Sequence, residues 1–364
     1  MKEERLIIKN FGPIKSIDIP IRKINVLIGD QGTGKSTVAK VLAFIKNISF
    51  IIYPTTENSF SFFFLDGYKK NDSEIFFESA EYSVSYTSEN GFVVDYSESL
   101  KKLINVYRNE ANNIGKTPNS NQVLLHDIIN NITKITGLSS YIPTERLRIF
   151  NSKTNVVNQS NNYLNTFHQD YSSYKNIYSN FDIPFLDLKY SHQNNKELFK
   201  KGNLELPVIE SASGFQSILP IILFSKQYLP EGFGTGYFIV EEPELSLFPK
   251  TQRDLINYLV GKIYPLNDYM FFTTHSPYIL SSLNNLLYAF KVGQINEEDT
   301  NRVVDKKHWV NPSDLSAYLL NEKGEAEDLM DLELQQIAVE RIDEISQTIN
   351  EEYDKLSDIK WAKK

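Results

Sequence analysis

Residues 25–43 read NVLIGDQGTGKSTVAKVLA, and the rest of the chain is best read outward from them. Val26, Leu27 and Ile28 form a short apolar run of the kind a buried strand makes. Val38, Val41, Leu42 and Ile45 then recur at helical spacing. Between strand and helix lies G-x-x-x-x-G-K-[ST], with Gly29, Gly34, Lys35 and Ser36 in the defining places. Gly29, Gly32 and Gly34 permit positive φ and close approach of backbone to an anion. Successive N–H groups in such a turn wrap a phosphate at the positive end of the following helix. Lys35 is placed to reach β- and γ-phosphates, and the Ser36 hydroxyl to ligate Mg²⁺. Gly29, Asp30, Gln31, Gly32, Thr33, Gly34, Lys35, Ser36 and Thr37 are therefore the expected contacts of a bound ATP.

A phosphate loop that hydrolyses needs a carboxylate for the metal and a group that orients water. Tyr237–Val240 is a second buried strand, and it runs into Glu241-Glu242-Pro243-Glu244. Ligands of open α/β sheets bind at the carboxyl ends of strands, where these residues fall. Glu241 is expected to hold Mg²⁺, and Glu242 to act as general base. Ser213-Gly214, followed by an apolar helix, offers a hydroxyl, a backbone N–H and a helix N-terminus to a second phosphate contact; an ordinary helix cap fits the same residues. His275, in Thr274-His275-Ser276-Pro277 after the strand Tyr269–Thr273, is placed to contact the γ-phosphate or position the water.

The chain has 364 residues, 41% of them hydrophobic and 23% charged, an ordinary globular balance with 23 Phe and 21 Tyr available for a core. Its net charge of −8 argues against a general nucleic-acid binder. With no cysteine, disulfides and thiolate metal sites are excluded. Charged Met1–Arg5 runs straight into a strand, so no signal peptide is expected. No apolar run approaches the ~18 residues a membrane span needs, so a cytoplasmic protein without membrane contact is expected.

Arg5–Asn10 and Ile14–Ile21 read as strands, with Pro20 marking an edge. Phe60–Leu65 and Ile75–Tyr86 are aromatic and strand-like, and Glu89-Asn90-Gly91 turns into Phe92–Tyr96 as a hairpin. From Ser97 the pattern becomes helical. Leu100, Leu103, Ile104 and Tyr107 share one face, as do Leu125, Ile128, Ile129, Ile132 and Ile135 before Gly137, a helix stop. Leu164, Phe167, Tyr171, Tyr174 and Tyr178 form a third stripe, read as core packing, with a partner-binding surface as the alternative. Tyr141–Phe150, YIPTERLRIF, is short and strand-like, with Glu145 and Arg146 read as a structural ion pair. Asn151–Asn162 is Asn/Ser-rich and reads as a loop, and Gly232–Gly236 as another. Leu287–Lys291 is expected to be one more strand. Ile342, Ile345, Ile349, Tyr353 and Leu356 give the C-terminus an apolar helical face, expected to dock on its own domain, with a dimer contact as the alternative. The boundaries that follow are an N-terminal lobe (1–96), a helical insertion or lid (97–200), a C-terminal lobe (201–320) and a helical tail (321–364).

The order of P-loop, S-x-S-G-x-Q, apolar strand ending E-E-P-E, and T-H-S-P resembles the ABC-type ATPase heads of the SMC/RecF/OLD group, above all the stand-alone bacterial "AAA family" ATPases. Ile7–Ile14, I-I-K-N-F-G-P-I, is also similar to that group. The resemblance implies an α/β P-loop NTPase with a mixed, largely parallel central sheet, an N-terminal antiparallel β-subdomain and a helical insertion. It further implies a homodimer that sandwiches ATP. Ser213 and Gly214 would face the γ-phosphate on the other subunit's P-loop, His275 would match the switch histidine, and Leu245–Phe248 the loop that communicates across the dimer. No residue matches the metal-watching glutamine of the group. Ala212–Gln216 is A-S-G-F-Q rather than the transporter L-S-G-G-Q, so a transporter subunit is not expected. Glu241 stands where Asp is commoner. No E-G followed by a D-x-D cluster occurs after His275, so the TOPRIM nuclease of OLD enzymes is not expected. Such stand-alone ATPases work beside a nuclease or toxin in anti-phage defence or DNA repair. Two other readings stay open: a slowly hydrolysing scaffold that sequesters an effector, and an SMC-like clamp on DNA.

Overall fold

The computed structural model describes residues 3–54, 60–112, 120–151, 162–228, 236–338 and 351–357. Its frame is a six-stranded sheet ordered β15-β14-β3-β13-β12-β7. The P-loop strand β3 (Ile24–Ile28) lies between β13 (Tyr269–Thr274) and β14 (Leu315–Leu320), and β12 (Gly236–Glu241) separates β13 from β7 (Leu138–Ile142). These five strands are parallel; only β15 (Ala326–Asp328) runs against them.

Both faces of this sheet are covered, which is why its strands read as unbroken apolar runs. Phe238 and Val240 of β12 point into one apolar cluster, and Tyr237 and Ile239 into the other. Val26 and Leu27 of β3 divide in the same way. At roughly 1.5–3 kcal/mol for each large side chain fully buried, a sheet sandwiched like this is a rigid base for a site at its edge.

One face carries α1 (Lys35–Ile45), the short α2 (Ile48–Ile52) and a five-stranded antiparallel sheet, β2-β1-β4-β5-β6. That sheet comprises β1 (Glu4–Phe11), β2 (Ile14–Ile21), β4 (Glu74–Glu78), β5 (Tyr82–Thr87) and β6 (Gly91–Tyr96). The expected hairpin is present, with Tyr86 opposite Phe92. Pro20 lies on β2, an edge strand, where a missing N–H breaks no ladder. Residues 60–62 are helical rather than extended; Phe60 plugs an aromatic cluster with Phe11, Phe44 and Phe92, so burial of the ring and not alternation set its backbone.

Residues 97–200 are helical only in part. Ser97 caps α3 (Glu98–Ala111), which packs on α4 (Ser120–Thr136), and Gly137 ends α4 at φ 83°. The chain then returns to the central sheet as β7, so YIPTERLRIF straddles a core strand and a 3-10 turn (Thr144–Leu147). After α5 (Tyr163–Ile177), strands β8 (Asn180–Ile183), β9 (Leu188–Gln193), β10 (Lys196–Lys201) and β11 (Leu204–Pro207) form a four-stranded antiparallel sheet. Phe167 and Tyr171 of the aromatic stripe are buried in the core. The loop expected at Asn151–Asn162 falls mostly outside the described residues, as do residues 232–235 of the glycine-rich loop.

The other face of the sheet packs α5, α6 (Ser213–Ser225), α7 (Pro249–Ile263) and α8 (Pro277–Gly293). Leu287–Lys291, expected as a strand, lies inside α8. Ser276 caps that helix, Pro277 opens it, and Ile279, Leu280, Leu283, Leu286 and Leu287 are its buried stripe. A short apolar run does not reveal its period until the residues before it are counted with it. Beyond β14 the tail begins with strands, and 351–357 are helical. Ile342, Ile345 and Ile349 lie outside the described residues. Tyr353 and Leu356 are 71% and 66% exposed, so the apolar face is not docked at these two positions.

Candidate nucleotide-binding site

Four parallel strands end at one edge of the sheet: β3 in Gly29, β13 in Thr274-His275, β12 in Glu241-Glu242, and β7 in Pro143-Thr144. The parallel register makes these ends neighbours, and with them residues from 29 to 275.

The phosphate loop holds its shape through local bonds. Gly34 has φ 106° where α1 begins, and a Cβ there would meet Ile14 Cδ1 at 2.4 Å, so both conformation and space require glycine. A Cβ on Gly29 would lie 2.3 Å from the Leu320 carbonyl oxygen. The Thr33 hydroxyl donates to the Asp30 carbonyl at 2.9 Å. Lys35, buried at the first turn of α1, donates through Nζ to the carbonyls of Gly29 and Asp30, both at 2.7 Å. Burial pulls its pKa down, opposed by the carboxylates of Glu242, Asp30, Glu244 and Glu241. Three of those four come from the β12 end, so the loop lysine and the acidic cluster share one electrostatic site. Asp30, Gln31 and Gly32 are exposed, Thr33 and Thr37 are buried, and Ser36 is half-buried.

The acidic end is assembled from distant segments. Glu241 is buried; its Oε1 accepts from the Tyr141 hydroxyl at 2.5 Å and its Oε2 from the Thr144 hydroxyl at 2.8 Å. Burial, and then the charge of Glu241, push the Tyr141 phenol well above its ordinary pKa, so it stays a donor. Glu242 has φ 44°, a strained conformation for a non-glycine residue. Its N–H donates to the Thr273 carbonyl at 2.8 Å. Its Oε1 lies 3.7 Å from Nε2 of His275, so base and switch-histidine candidates face each other. Glu244 Oε1 accepts from the Thr274 hydroxyl and the His275 N–H, both at 2.7 Å, which locks the β12 and β13 ends together.

Ser213 and Gly214 open α6, but Ala212 is the cap and the Ser213 hydroxyl is exposed. A Cβ on Gly214 would meet the Ser246 carbonyl oxygen at 2.8 Å. The signature turn therefore sits against Leu245–Phe248 at the same sheet edge, while α6 lies on the face opposite α1. Within one chain these two helix N-termini are on different sides of the sheet.

Sequence reasoning missed several residues. Tyr141 and Thr144, on either side of Pro143, clasp Glu241. Arg146 and Glu145 are not an ion pair: Arg146 is fully buried on backbone carbonyls, and Glu145 accepts from Tyr163 at 3.2 Å. Two hydroxyls flanking a proline after an apolar run were the visible signal, but nothing local says that they face another strand.

A model of the AAA ATPase domain matches the chain over residues 1–114 and 68–280. The chain belongs to the AAA ATPase domain family. No curated protein sequence matches it. Among solved structures it is similar to the SMC head domain from Thermotoga maritima, at 12% identity over 78% of this chain and 92% of that one, with a TM-score of 0.40. It is also similar to an SmcHead bound to the C-winged helix domain of ScpA, at 10% identity, 78% and 92% coverage and a TM-score of 0.44. A third is an Smc head domain with an extended coiled coil, bound to the C-terminal domain of ScpA, from Pyrococcus furiosus. It is 11% identical, with 94% and 98% coverage and a TM-score of 0.41.

For an AAA ATPase domain the residues at the edge suit a nucleotide and a divalent ion. Glu244 Oε2 and Thr273 Oγ1 are buried with no partner among the described residues, so polar capacity remains beside the loop. The hard oxygen donors of Ser36 and Glu241 are what Mg²⁺ takes. No described helix is long and apolar enough to cross a membrane.

Proposed function

We propose that this protein is a Mg²⁺-dependent ATPase that closes as a homodimer around ATP and thereby switches a partner effector. The supporting observation is the placement of the two helix N-termini. The P-loop opens α1 on one face of the sheet, and Ser213-Gly214 opens α6 on the other, yet both reach the same edge. Their placement on opposite faces favours a second copy, turned over, as the source of the second contact to one phosphate. Phe248 beside the Ser213-Gly214 turn is 75% exposed, a large apolar side chain left mostly uncovered by the described residues.

In this reading the loop N–H groups and Lys35 hold the β- and γ-phosphates, and Ser36 and Glu241 hold Mg²⁺. The ion would offset the developing phosphate charge. Glu242 orients the attacking water and takes its proton, with His275 facing it across the cleft. Ser213 and Gly214 of the partner copy complete the γ-phosphate site. The effector is a separate protein, a nuclease or toxin acting in defence against phage or in DNA repair, as the resemblance to stand-alone bacterial ATPases suggests.

Glu242→Gln tests the core of this reading. Size-exclusion chromatography with ATP and Mg²⁺ should show a stable dimer of the variant and none without nucleotide. A variant that stays monomeric with ATP and turns over normally would refute it. The clasp on Glu241 supports a second reading, a scaffold that binds ATP but hydrolyses slowly, because both carboxylate oxygens already accept protein hydroxyls. Steady-state turnover with and without DNA separates the two, since fast DNA-stimulated hydrolysis is incompatible with the scaffold.

A further inference from the structure

We infer that Arg146 is a positioning residue that couples the signature helix to Glu242; the inference rests on Glu242 being the base. Arg146 has no solvent exposure and is the largest fully buried side chain among the described residues. Its Nε donates to the Ser217 carbonyl at 3.1 Å and to the Ser217 hydroxyl at 3.2 Å. Nη1 donates to the carbonyls of Pro143 at 3.2 Å and Glu241 at 2.8 Å, and Nη2 to that of Glu242 at 2.6 Å. One planar group thus ties together the turn after β7, the end of β12 and the early turns of α6.

The partners are unusual for a buried cation. None of its hydrogen bonds goes to a carboxylate; apart from one hydroxyl, all go to backbone oxygens. A buried charge without a counter-ion hydrogen bond is costly, and burial draws the guanidinium pKa down to about 10, yet it stays charged near neutrality. Neutral, hydrogen-bonded packing would hold these segments together as well. What the fork adds is direction: five donors in a rigid plane fix the relative positions of the carbonyls that accept them.

Glu242 is where that direction matters. Its backbone is held at φ 44° from both sides, its N–H by Thr273 and its carbonyl by Arg146. The other arm of the fork rests on Ser217, one turn after Ser213. When the Ser213-Gly214 turn engages a phosphate, a shift of α6 reaches the Glu242 peptide through Arg146, beside a second route in which Gly214 rests on Ser246 and the Leu245 N–H donates to the Glu242 carbonyl at 3.0 Å. The coupling is a contiguous chain of hydrogen bonds from Ser217 through Arg146 to Glu242, so it can be weakened at either end.

Arg146→Lys keeps a cation, but a single nitrogen cannot span Ser217 and Glu242. Ser217→Ala removes only the hydroxyl acceptor. Thermal melting, affinity for a fluorescent ATP analogue, and kcat and KM are measured for both and for the double variant. For Arg146→Lys, affinity should stay within about twofold while kcat falls about tenfold or more, as expected when a reacting group is misplaced by a fraction of an ångström. Ser217→Ala, which leaves the Ser217 carbonyl on Nε and so weakens the path without cutting it, should lower kcat about threefold, and the double variant should be no slower than Arg146→Lys, because both changes act on one path. An unchanged kcat in a folded Arg146→Lys protein overturns the inference; so does a parallel fall of kcat and nucleotide affinity, the mark of a purely structural role. If Arg146→Lys does not fold, Ser217→Ala decides, and normal kcat there overturns it. Normal turnover of Glu242→Gln would instead remove the base itself. Impaired Glu242→Gln with unaffected Arg146→Lys removes the coupling alone.

Discussion

The phosphate loop and the acidic end of the site sit side by side, but they hold their shape in different ways. The loop closes on itself: Thr33 bonds to Asp30, and Lys35 to Gly29 and Asp30. At the acidic end local turns from Leu245 to Glu242 and from Leu247 to Glu244 are joined by bonds from distant segments. Glu241 depends on Tyr141 and Thr144, Glu242 on Thr273 and Arg146, and Glu244 on Thr274 and His275. A local turn can be formed by its own residues before the domain is complete. An acidic cluster assembled from the ends of three strands is in place only when all three are. If the phosphate loop binds and the acidic end reacts, binding should survive damage that abolishes chemistry, and the reverse should not hold.

The largest expected effect is on Glu242. Glu242→Gln should lower kcat by roughly 10²–10⁴, the usual worth of a general base, while affinity for an ATP analogue stays near wild type. Single-turnover hydrolysis and equilibrium titration read the two separately, and loss of both together would erase the division between loop and acidic end. Next is Lys35→Ala, which removes charge-assisted contacts to phosphate and should weaken ATP binding by roughly 10–100-fold. Calorimetric titration checks this; intact affinity would mean that the nucleotide is not held by this loop. Thr144→Val should come third. It frees one oxygen of Glu241 without changing side-chain shape, and should alter the Mg²⁺ concentration for half-maximal turnover by roughly tenfold, as loss of an outer-shell partner does. An unchanged Mg²⁺ requirement would separate Glu241 from the ion.

The smallest effect lies at the far ends of the same strands. Asp268, just before β13, is buried and accepts from the Gly236 N–H at 2.6 Å. Burial raises its carboxyl to about 6, above its ordinary value of 3.8. The folded state therefore holds the proton more tightly than the unfolded chain. The resulting stability is present below about pH 3.8 and is lost as pH rises through about 6. Asp268→Asn should flatten the melting temperature across that window, with its largest gain over wild type near pH 7 and little near pH 4. A variant profile parallel to wild type would show that Asp268 is not held protonated. Because the change is remote from the site, ATP affinity should not move.

Residues 25–43 announced a phosphate loop because the bonds and spacings that shape it are local, although Ile14 and the Leu320 carbonyl also press on its glycines. Glycines set the turn, alternation and helical spacing set its flanks, and a lysine sits where the helix begins. Tyr237–Glu242 was legible for a related reason, since a strand buried on both faces leaves an apolar run that must end in whatever it delivers. Leu287–Lys291 misled because five residues carry too little period to tell a strand from the end of α8. Tyr141, Thr144 and Arg146 gave no sign of their partners. Their meaning depends on β7 lying beside β12, a pairing of Tyr141 with Ile239 across nearly a hundred positions of chain. Composition and spacing act through neighbours along the backbone, and so they reach the loop. Which hydroxyls clasp Glu241, and which cation braces Glu242, depends on neighbours across a parallel sheet, and those exist only once the chain has folded.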